Sequence, residues 1–352
     1  MRFDFSEEQR LLAETLRDFL AREHTPERVR ELWQTETGCS PELWSRLAEL
    51  GVPGLLVPES SGGLGLDEID AVLLMEEAGR AALSEPLVAS AAVGVPLLRE
   101  LGGELAERWL PAVAAGDARL AVGHAQSPFV ADAHVADLLL LPAGDELHAL
   151  EPRAARLVRE PANDPGHRLF SAAWSPSPTT RVAGGREGRM LQDAALDRGA
   201  LASAAQQLGT ADRLIDLAVR YASERRQFGA PIGSFQAVKH LLANVKVSLE
   251  YARSLVYRAA HSVAREAHTR ATDVSAAKAA AGEAALAAGR VSLQVHGAIG
   301  YTWEQDVHIW LRRAWSLDLD WGSGDWHRAR VADAVIDGAL PAESFGYSAP
   351  AQ

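Results

Sequence analysis

Apolar residues near the N-terminus recur with the period of an α-helix. Ser6 and Gln9 lie three positions apart and form a capping-box pattern, which marks a helix start. The apolar face that follows comprises Leu12, Leu16 and Phe19. Pro26 ends this register. The pattern therefore predicts a first helix that is over by Pro26.

Further helical patterns continue to about residue 116. They are a run around Leu43, Trp44 and Leu47 that stops at Gly51, a segment from Asp67 to Arg80, and a segment from Ala89 to Leu101 that Gly102 and Gly103 close. Residues 52–66 (VPGLLVPESSGGLGL) are rich in Gly, Pro and Ser and predict a loop. We expect residues 1–116 to form a helical domain of four or five elements.

The pattern changes to short apolar runs between Leu120 and Ala183. In residues 135–151 (VADLLLLPAGDELHALE) two such runs flank a Pro-Ala-Gly-Asp turn, which predicts a pair of strands. Prolines break the region into short pieces and glycines mark its exit, namely Pro161, Pro165, Pro176, Pro178, Gly184, Gly185 and Gly188. Residues 117–190 are expected to form a small, reduced middle β domain.

Helical periodicity then returns almost to the end of the chain. The predicted helices are long and Ala-rich, and run from about Ala200 to Arg225, from Phe235 to Glu266 and from Asp273 to Val295. Such helices bury their apolar stripes against one another, so residues 191–352 are expected to form a helical bundle and an oligomer core. The fold class is α+β, mostly α, in the order α, β, α.

Composition narrows the classes of function. With 47% hydrophobic and 23% charged residues the chain has the make-up of a globular protein. Its net charge of -12 and the lack of a Lys/Arg block argue against a nucleic-acid partner. A single cysteine, Cys39, excludes an internal disulfide and a Cys-based zinc site, and no metal is predicted. No apolar run approaches the roughly 18 residues that a membrane span needs, so we expect a cytoplasmic protein without a membrane partner.

Two segments of the C-terminal region suit a phosphate-bearing ligand. Residues 223–240 (SERRQFGAPIGSFQAVKH) place a pair of arginines and an aromatic residue between two predicted helices. On spacing alone, a solvated arginine pair at a helix end is the more common interpretation. In residues 294–314 (QVHGAIGYTWEQDVHIWLRRA), Gly297 and Gly300 interrupt a helix, where backbone could approach a ligand closely.

Together these segments resemble the acyl-CoA dehydrogenase family, whose C-terminal domain carries the paired signatures RxxFGxPI..FQ and QxxGGxGY. The resemblance covers most of the chain and includes the α, β, α order, VPESSGGLG at residues 57–65 and ALDRGAL at residues 195–201. It implies an N-terminal helical domain, a middle β domain and a C-terminal four-helix bundle. It also implies FAD as cofactor and oxidation of an acyl-CoA thioester to its α,β-enoyl form.

In this family the two segments hold the adenylate and diphosphate half of an FAD whose flavin lies in the neighbouring subunit. Arg225 and Phe228 match the diphosphate and adenosine contacts, with Gln227 and Gln236 nearby. The second adenylate strip of the family falls on Gln294, Gly297 and Ala298.

The flavin loop is the first departure from the family. It reads approximately TEPxAGSD in the family and is followed by a WIT-like strand, whereas residues 121–141 here read AVGHAQSPFVADAHVADLLLL. Of the usual hydroxyl and Gly-Ser donors only Ser127 is present, and the stretch from His124 to Ala136 is too short for the missing strands. The chain is not expected to cradle a flavin of its own.

The catalytic base is the second departure. The family's YEGT-like motif falls on residues 320–323, which places Trp321 where the base Glu should be. Some members carry the base on the helix after the β domain, and that position falls on Gly199. Asp320 is the best candidate for a shifted base. The alternative is that the acids near this motif line a solvated loop or pair with neighbouring arginines; the residues concerned are Asp318, Asp320, Asp325, Arg312 and Arg313. His296 and His327 are expected to be structural.

Three functions remain open. The first is a non-catalytic subunit of a heteromeric, α2β2 acyl-CoA dehydrogenase, in which a paralogous partner supplies the flavin loop and the catalytic Glu. The family contains such pairs in high-GC bacteria, acting on bulky acyl-CoAs such as steroid side-chain thioesters. The alternatives are a self-sufficient homo-oligomer with Asp320 as base, and a flavin-less scaffold paralogue.

Overall fold

The computed structural model describes residues 4–336 and Gly338. The α-helices in this part of the chain are α1 (Glu7–Glu23), α2 (Pro26–Gln34), α3 (Pro41–Glu49), α4 (Glu68–Arg80), α5 (Val95–Leu101), α6 (Gly103–Ala115), α7 (Gly185–Glu224), α8 (Gln236–Ala264), α9 (Arg270–His296), α10 (Val307–Leu319) and α11 (Gly324–Ile336). The strands are β1 (Leu120–Val122), β2 (Val130–Ala131), β3 (Leu138–Ala143), β4 (Glu146–Leu150), β5 (Arg156–Glu160), β6 (Leu169–Ala173), β7 (Arg181–Ala183), β8 (Arg226–Gln227) and β9 (Ala230–Pro231).

The N-terminal helices begin where the sequence places their caps. Ser6 Oγ accepts a hydrogen bond from the Gln9 N–H at 3.1 Å, and Gln9 Oε1 accepts one from the Ser6 N–H at 2.9 Å. Pro26, however, also opens α2, because proline is favoured in the first turn of a helix and Thr25 caps that turn. Helix α6 likewise starts directly after Gly102. The N-terminal region therefore contains more helices than the four or five elements expected.

The segment predicted as a helix from Ala89 to Leu101 has two geometries. Val88–Gly94 is a π-helical turn, and α5 continues from Val95. The change occurs one residue before Pro96, which has no N–H to offer to either hydrogen-bond pattern.

The middle region contains two small sheets. One has the strand order β1-β3-β4-β7, with β1 parallel to β3 and the other neighbours antiparallel, and the other has the order β2-β6-β5. The predicted hairpin is β3–β4, whose last pair is Ala143 and Glu146. Strand β2 lies in the stretch from His124 to Ala136, which was expected to be too short for the family's missing strands, and it has only two residues. Its two residues pair with Phe170 and Leu169 of β6.

The C-terminal region is the helical bundle that the pattern predicts. Helix α7 begins at Gly185, well before the predicted start at Ala200, because its first turns pack against the middle region: a Cβ at Gly188 would lie 2.1 Å from the Asp145 carbonyl oxygen. Alanine is the most frequent buried residue in both α7 and α9, and such small side chains let helix backbones approach closely.

A crossing of small residues joins the N-terminal region to the bundle. Gly79 of α4 and Gly209 of α7 lie at this crossing, and a Cβ at Gly209 would lie 1.8 Å from the Glu76 carbonyl oxygen. Only glycine leaves room for this contact, which fixes α4 against α7. Within the described residues, no helix is both long and apolar enough to cross a bilayer.

Candidate functional site

A pocket lies where the N-terminal region, the middle region and the bundle meet, and we call it the central cleft. It encloses about 640 Å³ of space, and this volume includes open solvent. Its lining comes from three places: residues 83–89 before α5, residues 122–132 and 166–169 of the middle region, and Gln206, Arg313, Leu317, Asp320 and Trp321 of the bundle.

Both positions that could have carried the catalytic base lie against each other, and Trp321 is part of the cleft lining. The indole of Trp321, only 3% exposed, covers the face of α7 at Gly199. A Cβ at Gly199 would lie 2.0 Å from Trp321 Cδ2. The imidazole of His124 stacks on the indole, with ring centroids 4.4 Å apart and planes at 20°. We call these three residues the plug: the two uncharged rings of His124 and Trp321 occupy the space beside Gly199.

The Trp321 backbone is held in a left-handed conformation, with φ at +56°. The Trp321 carbonyl oxygen accepts a hydrogen bond from His327 Nε2 at 2.9 Å, and His327 Nδ1 lies 3.0 Å from Ser275 Oγ. His327 is buried, which lowers its pKa to about 4 and keeps the ring neutral. This is the structural role expected for His327.

A buried lysine that sequence reasoning missed supports the same turn. Lys278 Nζ donates to the carbonyl oxygens of Leu317 at 2.8 Å, Asp318 at 3.1 Å and Gly322 at 3.3 Å. These groups end α10, and a cation is favoured at a helix C-terminus. Burial lowers the pKa of Lys278 to about 8. A lysine in the Ala-rich pattern of α9 gave no sign of this role.

Asp320 lines the cleft beside the plug. Its Oδ2 lies 3.7 Å from His167 Nε2, and His167 Nδ1 lies 2.5 Å from Ser316 Oγ. Pairing with Arg312 or Arg313, the alternative weighed from sequence, does not occur. Arg313 instead donates from Nε to Asp164 Oδ2 at 2.5 Å, and the Arg312 guanidinium lies 5.2 Å from the ring centre of Trp303.

The other acids near the motif lie apart from this group. Asp325 is exposed and pairs with Arg328 at 2.6 Å. Asp318 Oδ1 lies against α9, 2.4 Å from where a Cβ of Gly282 would be. Asp320 is thus the acid of residues 318–325 that the structure brings to the cleft.

Two further acids of the cleft were not found from sequence. Burial raises the pKa of Glu85 to about 7 and that of Asp132 to about 6. Glu85 Oε1 accepts a hydrogen bond from the Ser40 N–H at 2.7 Å, while its Oε2 is buried without a hydrogen bond and lies 4.0 Å from Arg119 NH2. Their environment arises from packing between distant segments, which no local motif reveals.

The residues predicted to contact FAD lie elsewhere, on one exposed end of the bundle. They are Arg225, Gln227, Phe228, Gln236, Gln294, Gly297 and Ala298, which we call the nucleotide strip. Strands β8 and β9 form a hairpin whose turn, Phe228-Gly229, has positive φ at both residues. Phe228 is 94% exposed, and a phenylalanine with φ at +51° is unusual. Backbone strain of this kind is typical of ligand sites.

The two segments of the strip are brought together by contacts behind them. The Tyr221 ring stacks on the His296 imidazole, with ring centroids 4.5 Å apart. Tyr221 lies four residues before Arg225, and His296 lies directly before Gly297. His296 Nδ1 donates to the Ser292 carbonyl oxygen at 2.8 Å, in line with its expected structural role. Within residues 4–336, no carboxylate pairs with the exposed Arg225 guanidinium.

These two regions differ in how well they fit an FAD. The nucleotide strip offers an unpaired guanidinium and an open aromatic face, which suit a diphosphate and an adenine. Around the plug the fit is poor, because the rings of His124 and Trp321 divide the space. A separate pocket, which shares Val122 and His124 with the central cleft, lies on the other side.

The fold and the family matches together define an oxidoreductase of the flavoprotein type. Residues 6–117 match the acyl-CoA dehydrogenase N-terminal domain and residues 186–336 match the acyl-CoA dehydrogenase C-terminal domain. The chain belongs to the acyl-CoA dehydrogenase family, whose members are FAD-dependent. The expected fold class, with helical, β and helical regions in that order, is confirmed.

Individual relatives are similar over nearly the whole chain. Acyl-CoA dehydrogenase IpdE2 of Mycolicibacterium smegmatis is 34% identical over 314 residues, which cover 88% of this chain and 93% of the relative. The ChsE4-ChsE5 complex from Mycobacterium tuberculosis has a chain that superposes with a TM-score of 0.85 and 25% identity, covering 97% of this chain and 100% of that one. A chain of the Tcur3481-Tcur3483 steroid ACAD superposes with a TM-score of 0.85 and 25% identity. The match covers 95% of this chain and 99% of that one.

Proposed function

We propose that this chain is the non-catalytic subunit of a heteromeric FAD-dependent acyl-CoA dehydrogenase. It contributes the nucleotide strip to an FAD whose flavin ring is held by a paralogous partner. That partner also supplies the carboxylate that removes the α-proton of the acyl-CoA. When bound, the FAD accepts the hydride that leaves the acyl chain.

The plug is the observation that carries this proposal. A dehydrogenase of this family needs a carboxylate facing an open flavin slot, and neither an indole nor a glycine hydrogen accepts a proton. Trp321, Gly199 and His124 fill each other's space, so the loss of the base and the loss of the slot belong to one packed arrangement.

The nucleotide strip supports the second half of the proposal. Its residues are exposed and none of them lines the central cleft, as a site shared with a neighbouring subunit requires. The strained, almost fully exposed Phe228 is a costly residue to keep on a surface without a ligand.

The similar structures support a paralogous partner and a bulky substrate. Two of them are solved as pairs of differently named chains, and one of these is described as a steroid ACAD. We infer an α2β2 assembly and a substrate class that includes steroid side-chain acyl-CoAs.

Co-expression with candidate paralogues tests the proposal. The chain purified alone is expected to show little absorbance at the flavin bands and no turnover of acyl-CoA. The complex with its partner is expected to carry FAD and to dehydrogenate acyl-CoA. Steady turnover by the homogeneous chain would contradict the proposal, and a complex without FAD would favour a scaffold.

A second candidate function rests on Asp320. This acid faces the central cleft and lies near His167, so the residues for a shifted acid–base pair are in place. A self-sufficient homo-oligomer would use it as base, but the flavin slot that such an enzyme also needs is filled by the plug. The two functions make opposite predictions for Asp320, which are given in the Discussion.

A further inference from the structure

The two segments of the nucleotide strip begin at the ends of different helices. Arg225 directly follows α7, and Gly297 directly follows α9, much later in the chain. Both residues are exposed. A ligand that contacts both segments loses affinity if binding must first order them, because the ordering costs free energy. The contacts that fix these two helix ends relative to each other therefore affect how well the strip can bind.

A stacked pair of rings joins the two helix ends. Tyr221 lies in the last turn of α7, and His296 is the last residue of α9. Their ring planes are inclined by only 26°, and the ring centroids lie 4.5 Å apart. Stacked aromatic pairs stabilise a structure beyond the apolar area that they bury. This pair therefore holds the end of α7 against the end of α9.

Each ring belongs to the backbone that leads into one segment of the strip. The Tyr221 carbonyl oxygen accepts a hydrogen bond from the Arg225 N–H at 2.8 Å, where α7 ends. The Arg225 carbonyl oxygen accepts one from the Ile232 N–H at 2.8 Å, which closes the base of the β8–β9 hairpin. His296 Nδ1 donates to the Ser292 carbonyl oxygen at 2.8 Å, so its ring is fixed on its own helix.

The support behind the strip is a small apolar cluster, separate from the main core. Its buried residues are Ala218, Ala222 and Val295, and its half-buried members include Tyr221 and Ile232. Few side chains hold this end of the bundle together. Loss of one ring should therefore change the strip locally and leave the rest of the fold in place.

We propose that Tyr221 and His296 are positioning residues for FAD, whose stacked rings hold Arg225 and Gly297 in the relative position that the adenylate and diphosphate half of the cofactor requires. The inference rests on the proposed function, because it takes the strip as the cofactor site. Burial lowers the pKa of His296, so its ring is neutral at pH 7. The pair thus contributes geometry to the site and no charge.

FAD affinity of the complex with the paralogous partner tests this proposal. Tyr221→Leu and His296→Leu each remove one ring and keep an apolar side chain. Each should raise the Kd for FAD by roughly two- to tenfold, the range expected for one aromatic pair. Tyr221→Phe keeps the ring and should bind FAD as the wild type does. The double leucine variant should be no weaker than either single variant, because one stack is lost in all three.

Tyr257→Leu is the matched control. This half-buried tyrosine also packs against a ring, that of Phe5, with centroids 4.7 Å apart. It lies on α8, roughly 30 Å along the helix from Gln236 of the strip. Its loss should lower the midpoint of thermal unfolding without changing the Kd for FAD. The control separates a general loss of stability from a local change in the strip.

The outcomes separate this proposal from the function on which it rests. Unchanged FAD affinity in Tyr221→Leu, or losses that add up in the double variant, would overturn the positioning role and leave the proposed function standing. A wild-type complex without FAD would overturn both. If Tyr221→Leu does not assemble, His296→Leu and His296→Phe give the same comparison, since one removes the ring and the other keeps it.

Discussion

At the scale of single residues, the clearest question is what Asp320 does. If the partner supplies the base, Asp320→Asn in the complex should leave turnover within a few-fold of wild type. If Asp320 is the general base, its loss should slow α-proton removal by roughly 10²- to 10⁴-fold. Steady-state rates with FAD content measured in parallel decide between the two. Asp325→Asn is the matched control, because that exposed acid lies outside the cleft.

Trp321→Glu complements this test. The variant restores the carboxylate of the family motif and removes the indole of the plug, but it leaves His124 in place. It is expected to restore little turnover to the chain on its own, because Ser127 is still the only one of the family's usual flavin-loop donors that is present. Activity in the isolated variant would show that the base alone had been lost.

Glu85 gives a prediction about stability and pH. Its pKa is raised from 4.5 to about 7 by burial, so between these values the folded state holds a proton that the unfolded state has lost. Wild-type stability therefore falls as pH rises through this window. Glu85→Gln keeps the oxygen that accepts from Ser40 and removes the charge. Its free energy of unfolding relative to wild type should rise by roughly 2–3 kcal/mol from pH 4.5 to pH 8. A pH-independent difference in urea unfolding would contradict this.

At the scale of elements, the α4–α7 crossing depends on Gly209. A Cβ there would meet the Glu76 carbonyl oxygen at 1.8 Å and the Arg80 nitrogen at 2.6 Å. Both are backbone atoms, so Gly209→Ala must separate the helices. We expect a loss of about 2 kcal/mol or more in the free energy of unfolding.

Gly289→Ala is the control for this substitution. It also lies inside a helix, but its new Cβ would meet Leu311 Cδ1 at 2.7 Å, which is the end of a flexible side chain. This variant should lose little stability, because alanine favours the helix and the leucine can turn away. Equal losses in the two variants would show that the backbone contact at Gly209 is not decisive.

Elements with strong periodicity were predictable, and elements fixed by distant contacts were not. The long helices α8 and α9 lie where their apolar stripes predict them, and the β3–β4 hairpin follows its turn residues. Strand β2 was missed because two residues carry no period, and its partner β6 lies far along the chain. The early start of α7 was missed because contacts with the middle region stabilise its first turns.

At the scale of the whole molecule, the sequence predicted the family and the absence of a base at two positions. It did not reveal that these positions touch, because Trp321 and Gly199 lie on elements more than a hundred residues apart. The environments of Lys278 and Glu85 were likewise invisible, since burial comes from tertiary packing and each residue is ordinary in its local pattern.

The division of labour between subunits makes a prediction for the assembled complex. If the nucleotide strip holds the diphosphate of an FAD whose ring lies in the partner, Arg225→Ala in this chain should reduce flavin content on the partner's side. A charge-assisted contact to phosphate contributes on the order of 1.5 to 3 kcal/mol, or roughly ten- to a hundred-fold in affinity.

FAD per complex, measured by absorbance after gel filtration, checks this prediction. Arg328→Ala is the control, since this exposed arginine pairs with Asp325 and lies outside the strip. Assembly should be unaffected in both variants, because the helices of the bundle core do not depend on either side chain. Unchanged FAD occupancy in Arg225→Ala would make Arg225 a solvated surface arginine, and the sharing of the cofactor would then need another contact within the strip to support it.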